Sequence, residues 1–593
     1  MSGTKIINLF IKVNGVSIPD EYSVVSFEAN FSVNRISSAQ IVIMDGEAST
    51  GKFKASSSNM FVPGNEISIS VGYDSENTEI FKGLITSQNI NISVSQGATL
   101  EITCRDKTVN TTVGRKSASF FQKKDSEIIK SILKTYSGLN HSVTETTTQW
   151  PQMVQYYTTD WDFIVARAEA NGLIVTVINE VVSILNPISK MDPVLTLSYG
   201  IDIMEFNGDL NSIQQLGNIK ASSWDYTTQN MISGTSSNSF YGAGNISSKK
   251  LSEVVNLDTF QLQTAAAINQ EDLTNWSKAQ SIKSELSKFC GQVTCEGTHK
   301  VVPGNFIALN SLGDRFNGNH FVSSVTHTIE EGIWLTIIEF GLSPKWFTET
   351  TDLMAPSASG LLPGVNGLFT ATVKKTDEDP DNQYRILIDI PLFDPNGEGL
   401  WARHGSFYAS SNAGAFFLPE VGDEVIVGFL NEDPRYPIIL GSLYSNNKHK
   451  PFEGLEPNKN NTTKAIVSKS GIAVNFDDEN QTFTITTPNN NTAIFSDKDQ
   501  HITIQDQNQN SMVMNAEGIQ ITSAKNISIQ SKQKLSLKGD DGVSIESSVG
   551  DVTITALNIN QEANLQFSAK GGTTASLKGG ADLTLKGALV KIN

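Results

Sequence analysis

The residues from Ile519 to Asn593 carry short apolar-x-apolar triplets at a spacing that is mostly eight, and nothing else in the chain restricts its fold as strongly. The pairs are Ile519/Ile521, Ile527/Ile529, Leu535/Leu537, Val543/Ile545, Val552/Ile554, Leu557/Ile559, Leu565/Phe567, Ala575/Leu577 and Leu583/Leu585. A period of two puts both members of a pair on one face of a strand, and the Ser, Thr, Gln, Lys, Asp and Gly between them suit the other face and the turns. An eight-residue strand runs only about 26 Å, too short to circle a core of its own. Three chains, each forming one side of a triangular prism, would point the pairs at a shared axis and leave no sheet edge open. Burying a Val, Leu or Ile contributes roughly 1.5 to 3 kcal/mol, whereas ordering each backbone residue costs about 1 to 2 kcal/mol. One apolar pair per repeat cannot offset that cost in a lone copy, so the pattern predicts an obligate trimeric β-needle.

A chain of 593 residues has room for about four domains. Its net charge of −18, from 62 acidic and 44 basic residues, argues against broad binding to nucleic acid or to an anionic membrane. Met1 to Gly15 alternates apolar and polar residues and lacks the apolar block of a secretory signal, and no apolar run approaches the roughly 18 residues of a membrane-spanning helix. Export by an ordinary signal peptide is therefore not expected. Three cysteines make no disulfide framework, which fits assembly in a reducing cytoplasm.

Residues 1 to about 115 read as strands, with alternation in Ile6 to Val13, Phe27 to Val33, Ile67 to Val71 and Leu100 to Cys104. Cys104 is in phase with Leu100 and Ile102, which predicts a buried thiol. Asp125 opens a helical pattern that carries Ile128, Ile129, Ile132, Leu133 and Tyr136 and stops at Gly138. A second helix fits Asp160 to Asn171, followed by the strand Leu173 to Ile178. A longer one fits Gln270 to Phe289, with Leu273, Trp276, Ala279, Ile282, Leu286 and Phe289 as a core stripe. Val62-Pro63-Gly64-Asn65 and Val302-Pro303-Gly304-Asn305 each precede a strand of similar pattern, so two related β-barrels are expected in one chain.

Residues 356–365 have linker composition, and about five strands follow in 366–450, which suits an OB-fold barrel. Many OB-folds bind nucleic acid. Here residues 361–450 hold 12 acidic and 7 basic residues, which disfavours that use.

The run from Leu418 to Tyr444 contains Pro419, Gly422, Asp423, Glu424, Val425, Val427, Phe429, Asp433, Pro434, Pro437 and Gly441, and it resembles the OB-fold signature of the Vgr family. These are the spike proteins of type VI secretion and of phage-tail-like contractile injection systems. Thr159-Asp160-Trp161-Asp162-Phe163-Ile164 with Arg167-Ala168-Glu169-Ala170-Asn171-Gly172 resembles the family's hub, as does Ser324-Val325-Thr326-His327 with Gly332, Trp334, Thr336 and Phe340-Gly341. The resemblance implies a mainly β chain. A phage-baseplate-hub-like domain, with two tube-like barrels and an α/β insert, would occupy 1–355. An OB-fold would occupy 366–450, a transition 451–518, and an intertwined triple-stranded β-helix 519–593.

It also implies a mechanical function: a homotrimer, made in the bacterial cytoplasm and expelled with the apparatus, that caps an Hcp-like inner tube and is driven through a target envelope. Baseplate components, effectors and transient contact with a target membrane follow from the same resemblance. Only about twenty residues separate Tyr444 from the next expected strands, so no lysozyme-like insert between barrel and needle is expected. No His-x-His pair of the kind that binds a metal ion in certain one-piece phage spikes lies near Asn593, so a separate PAAR-like tip protein is expected, seated on Leu589, Val590, Lys591, Ile592 and Asn593.

Other chemistries are weaker. Cys290, Cys295 and His299 form C-x4-C-x3-H without an evident fourth ligand, so no metal or cofactor is expected. Asp377-Glu378-Asp379 and Asp477-Asp478-Glu479 read as solvated turns rather than a glycosidase pair. His327 alternates with Val325 and Ile329 and is expected in a barrel core. The rival class is a trimeric tailspike that degrades polysaccharide or peptidoglycan or binds a receptor. Such grooves display aromatic and acidic residues, but Phe567 is the one aromatic between Ile519 and Asn593. Lys570, Lys578 and Lys586 recur every eight residues, as an outward-facing row would.

Overall fold

In the computed structural model, the described residues are 6–74, 76–95, 97–237, 242–394, 397–445, 449–452, 455 and 457–592. The chain divides into two units, Met1–Leu443 and Tyr444–Asn593.

The first unit is built on one 13-stranded sheet. Apart from the two-residue strand Val16–Ser17, its strands fall into two matching sets. The first comprises β1 (Ile7–Val13), β2 (Val24–Ser32), β3 (Ser38–Met44), β4 (Glu66–Tyr73), β5 (Glu76–Ser93) and β6 (Gly97–Arg105). The second comprises β7 (Pro193–Ser198), β8 (Ile203–Leu210), β9 (Phe289–Glu296), β10 (Phe306–Asn310), β11 (Gly318–Glu330) and β12 (Ile333–Phe340). Pairing runs β1-β4-β5-β6-β3-β2 in one set and β7-β10-β11-β12-β9-β8 in the other, and the sets join where β2 lies antiparallel to β11. They differ at one pairing: β1 meets β4 antiparallel, and β7 meets β10 parallel.

The match extends to single residues. Gly64 N–H donates to the Ile85 carbonyl at 2.8 Å and Ile85 N–H to the Asn65 carbonyl at 2.9 Å. Gly304 N–H donates to Val322, and Val322 N–H to Asn305, both at 2.9 Å. Both glycines take positive φ, 102° and 92°, which explains why the Val-Pro-Gly-Asn echo keeps its glycine. The ladders also slip at equivalent places. β5 shifts register between Ile85 and Ser87, and β11 between Val322 and Ser324. β2 shifts between Val24 and Ser26, and β8 between Ile203 and Glu205. Bulges are specific local features, so four in matching positions mark an internal duplication.

Each set has its own core. Phe27, Ile41, Ile69, Phe81, Leu100 and Cys104 lie in the first; Val293, Ile307, Val322, Ile338 and Phe340 lie in the second. The Cys104 thiol is pushed up to about 12 by burial, as its phase with Leu100 predicts.

Between the sets, α1 (Asp125–Leu133) and α2 (Asp160–Ala170) pack Ile128, Ile129, Ile132 and Leu133 against Trp161, Ile164, Val165 and Ala168. Thr159, one residue before the expected start, caps α2 by accepting from Asp162 N–H. Asp125, expected to open the helix, is the first residue of α1, and its carboxylate turns inward to Arg167. α3 spans Gln270–Leu286, so Phe289, expected on this helix, instead opens β9. Trp276 and Ile282 of the expected stripe are only half-buried, whereas Lys283 and Glu285 are buried. Lys283 bonds Glu169 of α2 at 2.5 Å, which draws that polar pair inside.

A five-stranded closed barrel follows, in the order Phe369–Lys375, Ile386–Asp389, Leu400–His404, Pro437–Ser442, Glu424–Phe429. Ala371, Val373, Ile386, Ile388, Ala402, Val425, Val427 and Ile439 fill it. The second unit opens with a seven-stranded antiparallel meander from Thr463 to Thr522, where the sequence suggested only a transition.

His320 sits in the second core, where it packs on Phe289 and Phe340, whereas His327 packs on Phe31 and Trp334 of the first. Burial lowers both from 6.5 to about 4. The unfolded chain takes up these protons below pH 6.5 and the folded chain only near pH 4, so stability falls as pH drops through that window. Each histidine accounts for up to about 3 kcal/mol of the loss. Thermal melts between pH 7 and 4 are expected to show it, with a shallower slope in His327→Gln.

Candidate functional site

The meander presents one apolar face, made of two unbroken rows. Register places Phe476, Phe483, Phe495, Ile502, Met514 and Ile519 side by side in one row. The other row is Ile466, Val474, Ile485, Ala493, Ile504, Met512 and Ile521. Ring centroids are 5.2 Å apart for Phe476 and Phe483 and 5.9 Å for Phe483 and Phe495. The opposite face carries Asn475, Thr484, Ile494, Thr503, Val513 and Gln520. Among the described residues nothing covers the apolar face fully: Phe476 is 42% exposed, Ile504 49% and Ile521 57%. Both rows end on Ile519 and Ile521, the first pair of the repeat.

The turns between these strands hold themselves. Asp477 accepts from the backbone N–H groups of Glu479 and Asn480, and Asp478 pairs with Lys464. Asp506 accepts in the same way from Asn508 and Asn510. The acidic cluster at 477–479 therefore serves turn geometry, and Asp379 at the other cluster is held by the Arg385 guanidinium at 2.6 and 3.0 Å.

From Ser523 to Ile592 the described chain is extended, without a strand ladder to itself. Bends fall at 524–525, 532–533, 540–541, 548–550, 557, 564–565, 572–573, 580–581 and 588–589, close to an eight-residue beat. A Cβ on Gly539, Gly571 or Gly579 would meet the carbonyl oxygen three residues on at 2.2, 2.1 and 2.2 Å, so these corners need glycine. Ile527, Ile529, Leu535, Leu537, Val543, Ile545, Val552, Ile554, Ile559, Phe567, Leu577, Leu583 and Leu585 lie between bends, and all are exposed. Leu557 and Leu565, expected with the other pairs, fall on bends at 99% and 101% exposure, whereas Ile559 and Phe567 lie between bends at 53% and 66%. Leu589, Val590 and Ile592 are exposed; Lys591 lies beside them, and Asn593 lies outside the described residues.

The OB signature is structural. Val425 and Val427 point inward, while Phe429 stacks with Phe393 and meets Phe369 edge-on. Gly422 N–H donates to Val373, and Val373 N–H to the carbonyl of Asp423. Asp433 takes the Arg435 guanidinium at 2.7 and 3.0 Å, which holds its carboxyl below the usual range. Pro419 and Pro437 are buried, Glu424 and Gly441 lie on strands, and Pro434 follows Asp433 in the turn.

The hub motif is a set of buried clamps that the sequence signal located without revealing its partners. Asp125, 1% exposed, accepts from Arg167 Nε at 2.7 Å and Nη2 at 2.8 Å, Asn171 Nδ2 at 2.9 Å and Trp150 Nε1 at 3.1 Å. Asp160 accepts from Lys116, Tyr136 and Gln155. Glu169 holds Lys283 and the backbone N–H of Phe347. Cys290 and Cys295 lie five residues apart on β9, hence on opposite faces, so with His299 they do not converge on one ion. Among the described residues no cluster of metal-ligating side chains is present and no helix is long and apolar enough to cross a membrane.

Comparison identifies the class of the closed barrel: residues 369–444 match the type VI secretion system/phage-baseplate injector OB domain. Residues 3–331, more than half of the chain, match the Alg8 N-terminal domain, and the chain belongs to that family. Curated relatives carry the Vgr resemblance. The spike protein VgrG1c of Pseudomonas aeruginosa is 33% identical over 130 residues, 21% of this chain and 18% of that one. The spike protein VgrG3 of Vibrio cholerae is 32% identical over 127 residues, 20% of this chain and 12% of that one. The chain thus spans less than a fifth of the length of the curated relatives it matches. Among solved structures, a prophage MuSo2 43 kDa tail protein from Shewanella oneidensis is 12% identical, covering 57% of this chain and 98% of its own, with a TM-score of 0.45.

Proposed function

We propose that this chain is the platform and shaft of a contractile injection spike. Three copies assemble through the apolar rows of the meander and the repeat behind it, with Ile519, Ile521 and the inward residues that follow facing a common axis. The observation that supports this most is the continuity of the two rows from Ile466 to Ile521 and then into the repeat, exposed or half-exposed throughout among the described residues. Exposed apolar surface of this extent marks an interaction site, and extended backbone with no ladder of its own needs partners for its N–H and C=O groups.

In this reading the duplicated hub caps a tube of Hcp-like subunits, because three chains with two β-sets each present six similar units. Baseplate components hold the hub, a PAAR-like tip protein seats near Leu589–Ile592, and effectors travel with the assembly to a target membrane. The work is mechanical, not enzymatic. Native mass measurement is expected to give three chains; a monodisperse single chain with an ordered tail would refute the assembly. Ile545→Asp places three carboxylates near one axis, where desolvating each costs several kcal/mol. The variant is expected to lose the trimer or to melt well below the parent, and an unchanged melt would remove Ile545 from the inner face.

A further inference from the structure

We propose that a cavity between α2 and α3 receives the ammonium end of a lysine side chain presented by a partner protein, with Asp272 as its counter-charge. Every lining residue belongs to the first unit of a single chain, so the site needs neither the needle nor a second copy.

Each helix contributes residues four apart, which share a helical face. Arg167 and Asn171 come from α2 and its C-cap, and Asp272 and Trp276 from α3. Trp150, on the strand Gln149–Thr158, and Thr264 and Ile268, at and just beyond the end of the strand Phe260–Thr264, help to close a space of about 220 Å³. Trp150, Ile268 and Trp276 are half-buried, so the space is reached from outside. It is smaller than the roughly 300 to 1,000 Å³ of pockets for drug-sized molecules, which suits the end of one side chain.

Charge decides the class of ligand. Arg167 is already matched: it is spent on Asp125 and lies over the Trp150 ring at 5.2 Å. Asp272 is not. It is 9% exposed, yet its Oδ2 receives no hydrogen bond among the described residues. Asn269 caps α3 by accepting from the Asp272 backbone N–H at 2.9 Å, which fixes the start of the helix and leaves that oxygen unserved. Burial pushes the Asp272 carboxyl above its ordinary value and outweighs the pull of Thr148 and of the Arg167 charge. Buried carboxylates are normally paired, and one left without a partner in a cleft marks a binding position.

The remaining bonding capacity has the same sense. Both Nδ2 hydrogens of Asn171 go to Asp125 and to the Arg167 carbonyl, so its Oδ1 is left to accept. Asn275 turns its Nδ2 to Thr147 at 3.5 Å, and its Oδ1 accepts no bond among the described residues. The Trp150 indole N–H is given to Asp125. Three acceptors therefore remain, on Asp272, Asn171 and Asn275, beside two indoles, the ring type that attracts cations most strongly. An ammonium brings three donors on a compact charge, whereas a guanidinium brings a flat fork made for one carboxylate. An anion would have to draw Arg167 away from Asp125 and would face the Asp272 carboxylate.

The test uses the full-length protein at constant ionic strength, with n-butylammonium as probe and n-butanol as its neutral counterpart. Butylammonium is expected to raise the melting temperature in a saturable way, and butanol to leave it unchanged. Asp272→Asn keeps the shape and removes the charge. It is expected to melt at or above the parent, because it removes an unpaired buried charge, and to bind butylammonium at least about tenfold more weakly by calorimetry. A butylammonium carrying a photoreactive diazirine should label the peptides that hold Trp150 or Trp276, and excess butylammonium, but not butanol, should prevent this in the unsubstituted protein. Equal effects of amine and alcohol, label elsewhere, or undiminished binding to Asp272→Asn overturns the proposal. A variant that melts well below the parent makes Asp272 a structural group and overturns it too. Nα-acetyl-lysine methylamide, which carries the same cation on a peptide backbone, is expected to bind at least as well as butylammonium; if it does not bind, the side-chain source is overturned.

Discussion

Phe483→Asp is expected to abolish assembly of the tail. Phe483 stands at the centre of the Phe476–Phe483–Phe495 ladder, with an aromatic neighbour on either side at 5.2 and 5.9 Å. Burial of one aromatic side chain contributes roughly 1.5 to 3 kcal/mol, and threefold repetition raises the loss to about 5 to 9 kcal/mol. Three carboxylates forced together add several kcal/mol more for each ion. The sum rivals the whole stability of an ordinary domain, about 5 to 15 kcal/mol. Native mass should move from three chains to one, and protease should cut between Thr463 and Thr522. Thr484→Asp is the control: one residue along a strand lies on the opposite face, so its expected change is within about 0.5 kcal/mol. If both variants assemble equally, the face assignment is wrong.

Much of this tail was legible in sequence, and the part missed had a readable cause. The eight-residue beat from Ile519 was found because its chain takes only a bend between successive rungs. Upstream, the same motif is present as Val474/Phe476, Phe483/Ile485, Ala493/Phe495, Ile502/Ile504 and Met512/Met514, but it recurs every nine or ten residues. Hairpin turns closed by Asp477 and Asp506 consume the extra positions, so a search for a fixed spacing passes over it. Leu557 and Leu565 satisfy apolar-x-apolar locally but fall on the beat of the bends, a difference of phase that hydrophobicity alone does not reveal.

In the hub, the Val-Pro-Gly-Asn echo points to two related β-barrels, and the structure has two related strand sets in one 13-stranded sheet, each with a glycine at the positive φ that this turn requires. What it could not announce was that the units share one sheet, since strand order depends on contacts far apart in sequence, such as Phe27 with Ile329. The same limit hid the partners of the hub motif. Arg167 and Asn171 are a helical step of four apart and visibly share a face, but Asp125, 42 residues before Arg167, is chosen by the fold.

That choice makes Asp125→Ala the second large expected effect. The carboxylate is buried and receives four hydrogen bonds from Arg167, Asn171 and Trp150. Burial alone would raise its pKa; the Arg167 guanidinium and the Asn171 and Trp150 donors more than offset that and hold it below 3.8. Removing the acceptor leaves a mostly buried guanidinium without its counter-charge, a change that typically costs about 3 to 5 kcal/mol. The stabilisation is fully present above the unfolded carboxylate value and is lost as pH falls through the lower folded value, so the parent should surrender it only below about pH 4. Asp125→Ala should instead melt low already at neutral pH, with an acid limb shallower than the parent's below pH 4. Arg167→Ala should cost less, because the remaining carboxylate keeps Asn171 and Trp150 and can take up a proton. The double variant should be less destabilised than the sum of the two singles, and a strictly additive cycle would show that the pair is not coupled. The loss should register as unfolding of the hub while the tail still assembles, since the clamp belongs to the first unit and the apolar rows to the second.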